Sequence, residues 1–133
     1  VEIPLVLVML RSLFIVGIGG AVGSIARYGL SLSINTKFSS SLPLGTLIVN
    51  IIGCFIIGIL FGLAAKQQWT NNDILMLVGT GFCGGFTTFS TFALENISLF
   101  DKQQTSSAIV YTIVSLILGI GLCKLGFLLG DKL

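Results

Sequence analysis

The sequence predicts an all-α membrane protein of four transmembrane helices, the third of them broken near the bilayer centre. Three observations carry this. Only 9% of the residues are charged. The mean hydropathy is +1.06. Four apolar stretches recur along the chain, each near the ~20 helical residues that cross a hydrocarbon core, with short polar links between them.

A soluble domain of 133 residues needs a charged surface, and seven Lys and Arg with five Asp and Glu cannot cover one. Lipid is therefore the solvent for most of the chain. The length suits a single integral membrane domain over residues 1–133. The net charge of +2, with no basic stretch interleaved with aromatics, speaks against nucleic acid. The cysteines Cys54, Cys83 and Cys123 sit in apolar or glycine-rich runs, form no CxxC pair and have no histidine to join them at a metal. They read as free thiols that pack.

The first helix is expected over 12–34. Arg11 follows the apolar run Val1–Leu10 rather than preceding it, which is the wrong order for a cleaved signal peptide. That run is expected to lie at the interface or pack on the bundle as an extension. Asn35, Lys37 and the serines Ser39 to Ser41 link to a second helix over 44–65. Lys66, Gln67, Gln68, Trp69 and Asn71 end it, Trp69 suiting a membrane interface. The third helix is expected over 73–100 and the fourth over 105–129. Pairs of small residues four apart (Gly17/Ala21, Gly19/Gly23, Cys54/Gly58, Gly58/Gly62, Gly119/Cys123) allow close helix approach in lipid.

Lys and Arg set orientation, and here they balance. Lys66 and Lys132 fall on one side, with Arg11 and Lys124 near helix ends there. Lys37 and Lys102 fall on the other, with Arg27 towards it. Insertion in both orientations is one outcome, and two opposed copies can then pair about an axis in the membrane plane; a single topology set by a partner protein is the other.

The third stretch, Gly79-Thr-Gly-Phe-Cys-Gly-Gly-Phe-Thr-Thr-Phe-Ser-Thr-Phe92, is the unusual one. Gly84 and Gly85 weaken a helix, and the hydroxyls of Thr87, Thr88, Ser90 and Thr91 compete for its backbone groups. A break is expected there. Freed backbone at membrane depth must be satisfied by protein or by a watery cavity. In an inverted dimer the breaks of both copies would meet on the two-fold axis, where carbonyls could hold a monovalent cation. Phe86, Phe89 and Phe92, spaced by three, share one helical face, and their positive ring edges can line a path for a small anion. Packing is the ordinary fate of such rings. Asn50 has an amide able to donate to an anion. Arg27 is costly in lipid and should line a vestibule or pair. Glu95 lies one turn past Phe92, and Tyr111, Ser115 and Gly119 line one face of helix four.

Three segments together resemble the Fluc/CrcB family of fluoride channels: Gly19-Gly-Ala-Val-Gly-Ser-Ile-Ala-Arg-Tyr28, Pro43-Leu-Gly-Thr-Leu-Ile-Val-Asn-Ile-Ile-Gly53 and Gly81-Phe-Cys-Gly-Gly-Phe-Thr-Thr-Phe-Ser-Thr-Phe92. The resemblance runs from about Met9 onward, and Val1 to Val8 extend beyond it. It implies a dual-topology antiparallel dimer in the cell membrane that exports fluoride passively and relieves its toxicity. It implies a central sodium ion held by the backbone carbonyls of Gly84 and Thr87. It assigns Asn50, Phe89 and Phe92 to the pore, Thr88, Ser90 and Thr91 to a polar track, Glu95 to the acidic position beyond it and Arg27 to the vestibule. Tyr111 and Ser115 match the helix-four pore line. Phe86 stands where other members often carry an aliphatic residue and is expected to pack. A homodimer is expected, and some members pair two homologous chains.

Three other functions compete. A proton-coupled exporter of cations needs a titrating membrane carboxylate, for which Glu95 is the candidate. An enzyme with Cys83 as nucleophile lacks a base, so no catalytic residue is expected. A structural subunit of a larger complex would use the small-residue seams alone.

Overall fold

The structure is a computed structural model that describes residues 4–66 and 71–133. Among the described residues it is all-helical and contains no strand. Four helical stretches are long and apolar enough to cross a membrane: Leu5–Lys37, Leu44–Ala65, Asn72–Asp101 and Thr105–Lys132. The first is α1 (Leu5–Lys37) and the second α2 (Leu44–Ala65). The third comprises α3 (Asn72–Ile74), a π-helical segment (Leu75–Cys83), α4 (Gly84–Phe86) and α5 (Phe89–Asp101). The fourth is α6 (Thr105–Lys132). Gln67, Gln68 and Trp69, expected at the end of the second helix, lie outside the described residues, as do the first three residues of the amino-terminal extension.

The first helix begins at Leu5, not near Ser12. Arg11 marks a boundary of polarity but is a good helix former, so it does not end the helix. Pro4 stands just before the first turn, where its missing N–H costs nothing. At 33 residues α1 is about 50 Å long, well beyond the ~30 Å hydrocarbon core. Arg11 pairs with Asp73 of α3, which ties this overlong helix to the third span. The fourth helix runs three residues past the expected Leu129, through Gly130. Gly130 does not stop it because its missing Cβ lets the chain lie on the backbone of Ile59 and Leu63 in α2.

Two seams of backbone contact build the bundle. In one, α6 lies on α2, and a Cβ on Gly58 or Gly62 would strike the carbonyl of Cys123 or Phe127. In the other, α1 lies on the π-helical segment and α4, and a Cβ on Gly19 or Gly23 would strike the carbonyl of Leu77 or Phe82. Such approach lets dispersion act between backbones where lipid supplies no hydrophobic drive. The π-helical form of Leu75–Cys83 had no signature in the sequence; such turns often stand beside functional sites.

The break in the third span lies at Thr87–Thr88, close to the span's midpoint, and not at the glycine pair. Both threonines are extended (φ −86°, ψ 158° and φ −149°, ψ 123°), whereas Gly84 and Gly85 remain helical. Gly85 is small so that α4 can approach the Gly20 carbonyl of α1. Threonine hydroxyls border the break on both sides. Thr87 Oγ1 donates to the Cys83 carbonyl at 2.8 Å, alongside its own amide at 3.0 Å. Thr88 Oγ1 accepts from the Thr91 amide at 3.2 Å and caps α5.

Candidate functional site

A groove of about 610 Å³ opens along the break, walled by α2, the third span and α6. Asn50, Gly84, Thr87, Thr88, Phe89, Phe92 and Ser115 line it. These residues are far apart in sequence and are joined here by helix register. Ile57 and Leu116 make the remaining wall largely apolar.

Asn50 projects from α2 onto the break and grips one residue twice. Its Oδ1 accepts from the Thr88 amide at 2.8 Å, and its Nδ2 donates to the Thr88 carbonyl at 3.0 Å. The carboxamide carries a second N–H beyond that bond. Among the described residues, no amide donor meets the Thr87 carbonyl. The Thr88 amide would close on the Gly84 carbonyl in a continuous helix, but Asn50 holds it. Gly84 is exposed, and nothing lies within 4 Å of the place its Cβ would occupy.

The phenylalanines divide. Phe86 is buried and stacks on Phe82 at 5.3 Å, its ring edge beside Gly53 of α2. The extended pair behind it interrupts the expected three-residue stripe. Phe89 is 79% exposed on the groove rim. Phe92 lies 5.8 Å from Phe89 and 5.2 Å from Tyr111, both pairs tilted. Ser90 and Thr91 meet the groove only through Thr88, whose Oγ1 lies 3.3 Å from Ser90 Oγ and donates to Thr91 Oγ1 at 3.0 Å.

Glu95 and Tyr111 belong to a second polar cluster, behind Phe92. Thr46 Oγ1 and Tyr111 Oη donate to opposite oxygens of the Glu95 carboxylate, at 2.6 and 2.7 Å. One residue further on each helix, Thr112 donates to Asn96 Oδ1 at 2.9 Å, and Asn96 Nδ2 donates to the Phe92 carbonyl at 3.0 Å. Glu95 also lines a mouth of about 300 Å³ with Asn35, Ser98 and Lys102. Arg27 is not in this row. Its Nε donates to the Gly85 carbonyl at 3.1 Å, from the α1 side of the break.

Thr46, Asn96 and Thr112 escaped the sequence reading. Thr46 and Thr112 are polar residues in apolar runs and Asn96 adjoins Glu95, and polar residues seek one another in lipid; that pattern was the available signal. The hydroxyl of Ser115 differs from all of these. It is buried and has no hydrogen-bond partner among the described residues.

Four membrane-spanning stretches around a polar mid-span break define a multi-pass membrane protein. Residues 14–127 match the family described as CrcB-like protein, Camphor Resistance (CrcB). A protein named fluoride-specific ion channel FluC from Azobacteroides pseudotrichonymphae genomovar. CFP2 is 43% identical over 123 residues, covering 92% of this chain and 98% of that one. Another of the same name from Gloeothece citriformis is 45% identical over 117 residues, covering 88% and 94%. A third, from Phocaeicola vulgatus, is 41% identical over 121 residues, covering 91% and 96%. The chain belongs to the CrcB family.

Proposed function

We propose that this protein is a fluoride-specific channel that lets fluoride leave the cell passively and so relieves its toxicity. It works in the cell membrane as an antiparallel dimer of two copies. The relatives' name supports the ion, and one observation of the groove carries the reading. Ser115 holds a buried hydroxyl without a partner, in a groove whose rim carries Phe89 and Phe92. An unpaired buried donor costs free energy, and an anion that accepts from it recovers that cost. Ring edges attract an anion weakly enough to release it. The spare N–H of Asn50 is a second donor on the same wall.

The dimer reading rests on the balanced charges of the two sides and on the groove's open face, where Gly84 and Phe89 are exposed. The carbonyls of Gly84 and Thr87 fit a hard monovalent cation, which takes oxygen ligands. A sodium ion bound there would supply the positive charge that carbonyls facing each other across a two-fold axis require. Arg27 and Ser24 keep the neighbouring Gly85 carbonyl aimed at α1 and out of that set.

The test is fluoride efflux from liposomes holding the purified protein, with chloride in parallel. Fast fluoride efflux without a proton gradient, and little chloride efflux, supports the proposal. No fluoride efflux from folded protein overturns it for this chain alone. A heterodimer would then be tested by co-expressing a homologous chain. A Glu95→Gln variant separates this reading from a proton-coupled exporter, which would lose its coupling.

A further inference from the structure

We infer that Asn50 is the residue that opens the cation site, by holding the Thr88 amide away from the Gly84 carbonyl. This rests on the sodium reading above and gives Asn50 a positioning role besides any contact with the permeating ion.

In an unbroken helix the carbonyl of residue i receives the amide of residue i+4. Cys83 keeps that bond, since its carbonyl accepts the Thr87 amide at 3.0 Å. The next bond in the ladder would join the Thr88 amide to the Gly84 carbonyl. It is not made, because Asn50 Oδ1 takes that amide at 2.8 Å. The two bonds after it, Phe89 amide to Gly85 carbonyl and Ser90 amide to Phe86 carbonyl, fall across the break and are not made, the Gly85 carbonyl turning instead to Arg27 and Ser24. The last would join the Thr91 amide to the Thr87 carbonyl, and Thr88 Oγ1 takes that amide at 3.2 Å. Of the four carbonyls the break frees from the ladder, those at its two ends, Gly84 and Thr87, are released because two side chains intercept their amides.

The interceptors differ in kind. Thr88 acts within its own segment, as an ordinary helix cap. Asn50 acts from another helix, and its second bond, Nδ2 to the Thr88 carbonyl at 3.0 Å, fixes the orientation of the amide plane. The α2 backbone is held in turn by its seam with α6. The register of that seam therefore sets where the acceptor stands and which carbonyl is released. Aspartate at this position would keep an acceptor for the Thr88 amide. Leucine, of similar size, would offer none, and the amide would be free to return to Gly84.

The experiment is the thermal midpoint of the detergent-purified protein titrated with sodium chloride, choline chloride holding ionic strength constant. The wild-type protein is expected to gain stability with sodium. Asn50→Leu should move the sodium midpoint up by about tenfold or more, the worth of one hydrogen bond. Asn50→Asp should stay within about threefold of wild type, because the acceptor is retained. Phe92→Ile, which leaves both Asn50 bonds in place, is expected to keep the wild-type midpoint. An unchanged midpoint in Asn50→Leu overturns the inference, as does an equal upward shift in Asn50→Asp. If Asn50→Leu does not fold, Asn50→Ala, which likewise offers the Thr88 amide no acceptor, takes its place with the same outcomes. Absence of any sodium effect in the wild-type protein overturns the cation reading and this inference together. Sodium stabilisation that Asn50→Leu leaves untouched overturns this inference alone.

Discussion

Two hydroxyls of α6, one turn apart, make opposite predictions. Tyr111 is 1% exposed and donates to Glu95. Removing that hydroxyl in Tyr111→Phe leaves one carboxylate oxygen unmet. The thermal unfolding midpoint in detergent should fall, for a loss of about 1–3 kcal/mol. Ser115 donates to nothing among the described residues. Ser115→Ala should therefore raise stability, by about 1 kcal/mol. It should slow fluoride efflux from liposomes by about tenfold, roughly one hydrogen bond lost to the ion. Most of these residues were legible in the sequence as residue types in the wrong solvent. Asn50, Glu95 and Arg27 stood out because a polar side chain in lipid needs a reason. Their partners were not legible, since Thr46 and Glu95 lie 49 positions apart and only helix register brings them together.

Among the elements, the break tested the reading of glycine most directly. Gly84 and Gly85 suggested the break by propensity, yet Gly85 serves a contact with α1 and the chain parts two residues later. Propensity measured in water gives way here to packing in lipid. The same distinction predicts unequal effects along α1. Nothing lies within 4 Å of a Cβ on Gly17, whereas one on Gly19 meets the backbone at Leu77, Phe82 and Gly81. Gly19→Ala should destabilise the detergent-purified protein by about 1–3 kcal/mol, as overpacking does, and Gly17→Ala should be neutral or mildly stabilising. The α5–α6 link offers a gain. Gln103 has a positive φ of 59°. Its amide bonds the Phe100 carbonyl at 2.9 Å, and the Gln104 amide bonds that of Leu99 at 2.8 Å, the double closure of a Schellman turn. Gln103→Gly should raise the unfolding midpoint, by about 0.5–1 kcal/mol, because glycine takes that conformation freely.

For the whole molecule, hydropathy settled the count of spans, and the pairing of helices came from glycines that meet backbone. If two copies insert oppositely, the serine link before α2 must reach both faces of the membrane. In a variant with the native cysteines replaced, a cysteine at Ser40 should be modified by a membrane-impermeant thiol reagent from either face, roughly half of the copies from each. Modification from one face only would refute the inverted dimer. The bundle is also joined in two different ways. The α2–α6 and α1–π-segment seams are steric, backbone against backbone. α5 touches α2 and α6 sparingly and is pegged to them by side-chain hydrogen bonds from Asn50, Thr46, Tyr111 and Thr112. Steric seams are indifferent to moisture, whereas polar pegs weaken wherever water competes for them. A short-chain, water-permeable micelle should therefore free α5 first while both seams persist, and a sample that still looks helical and monodisperse would already have lost the part of the protein that carries the proposed pore.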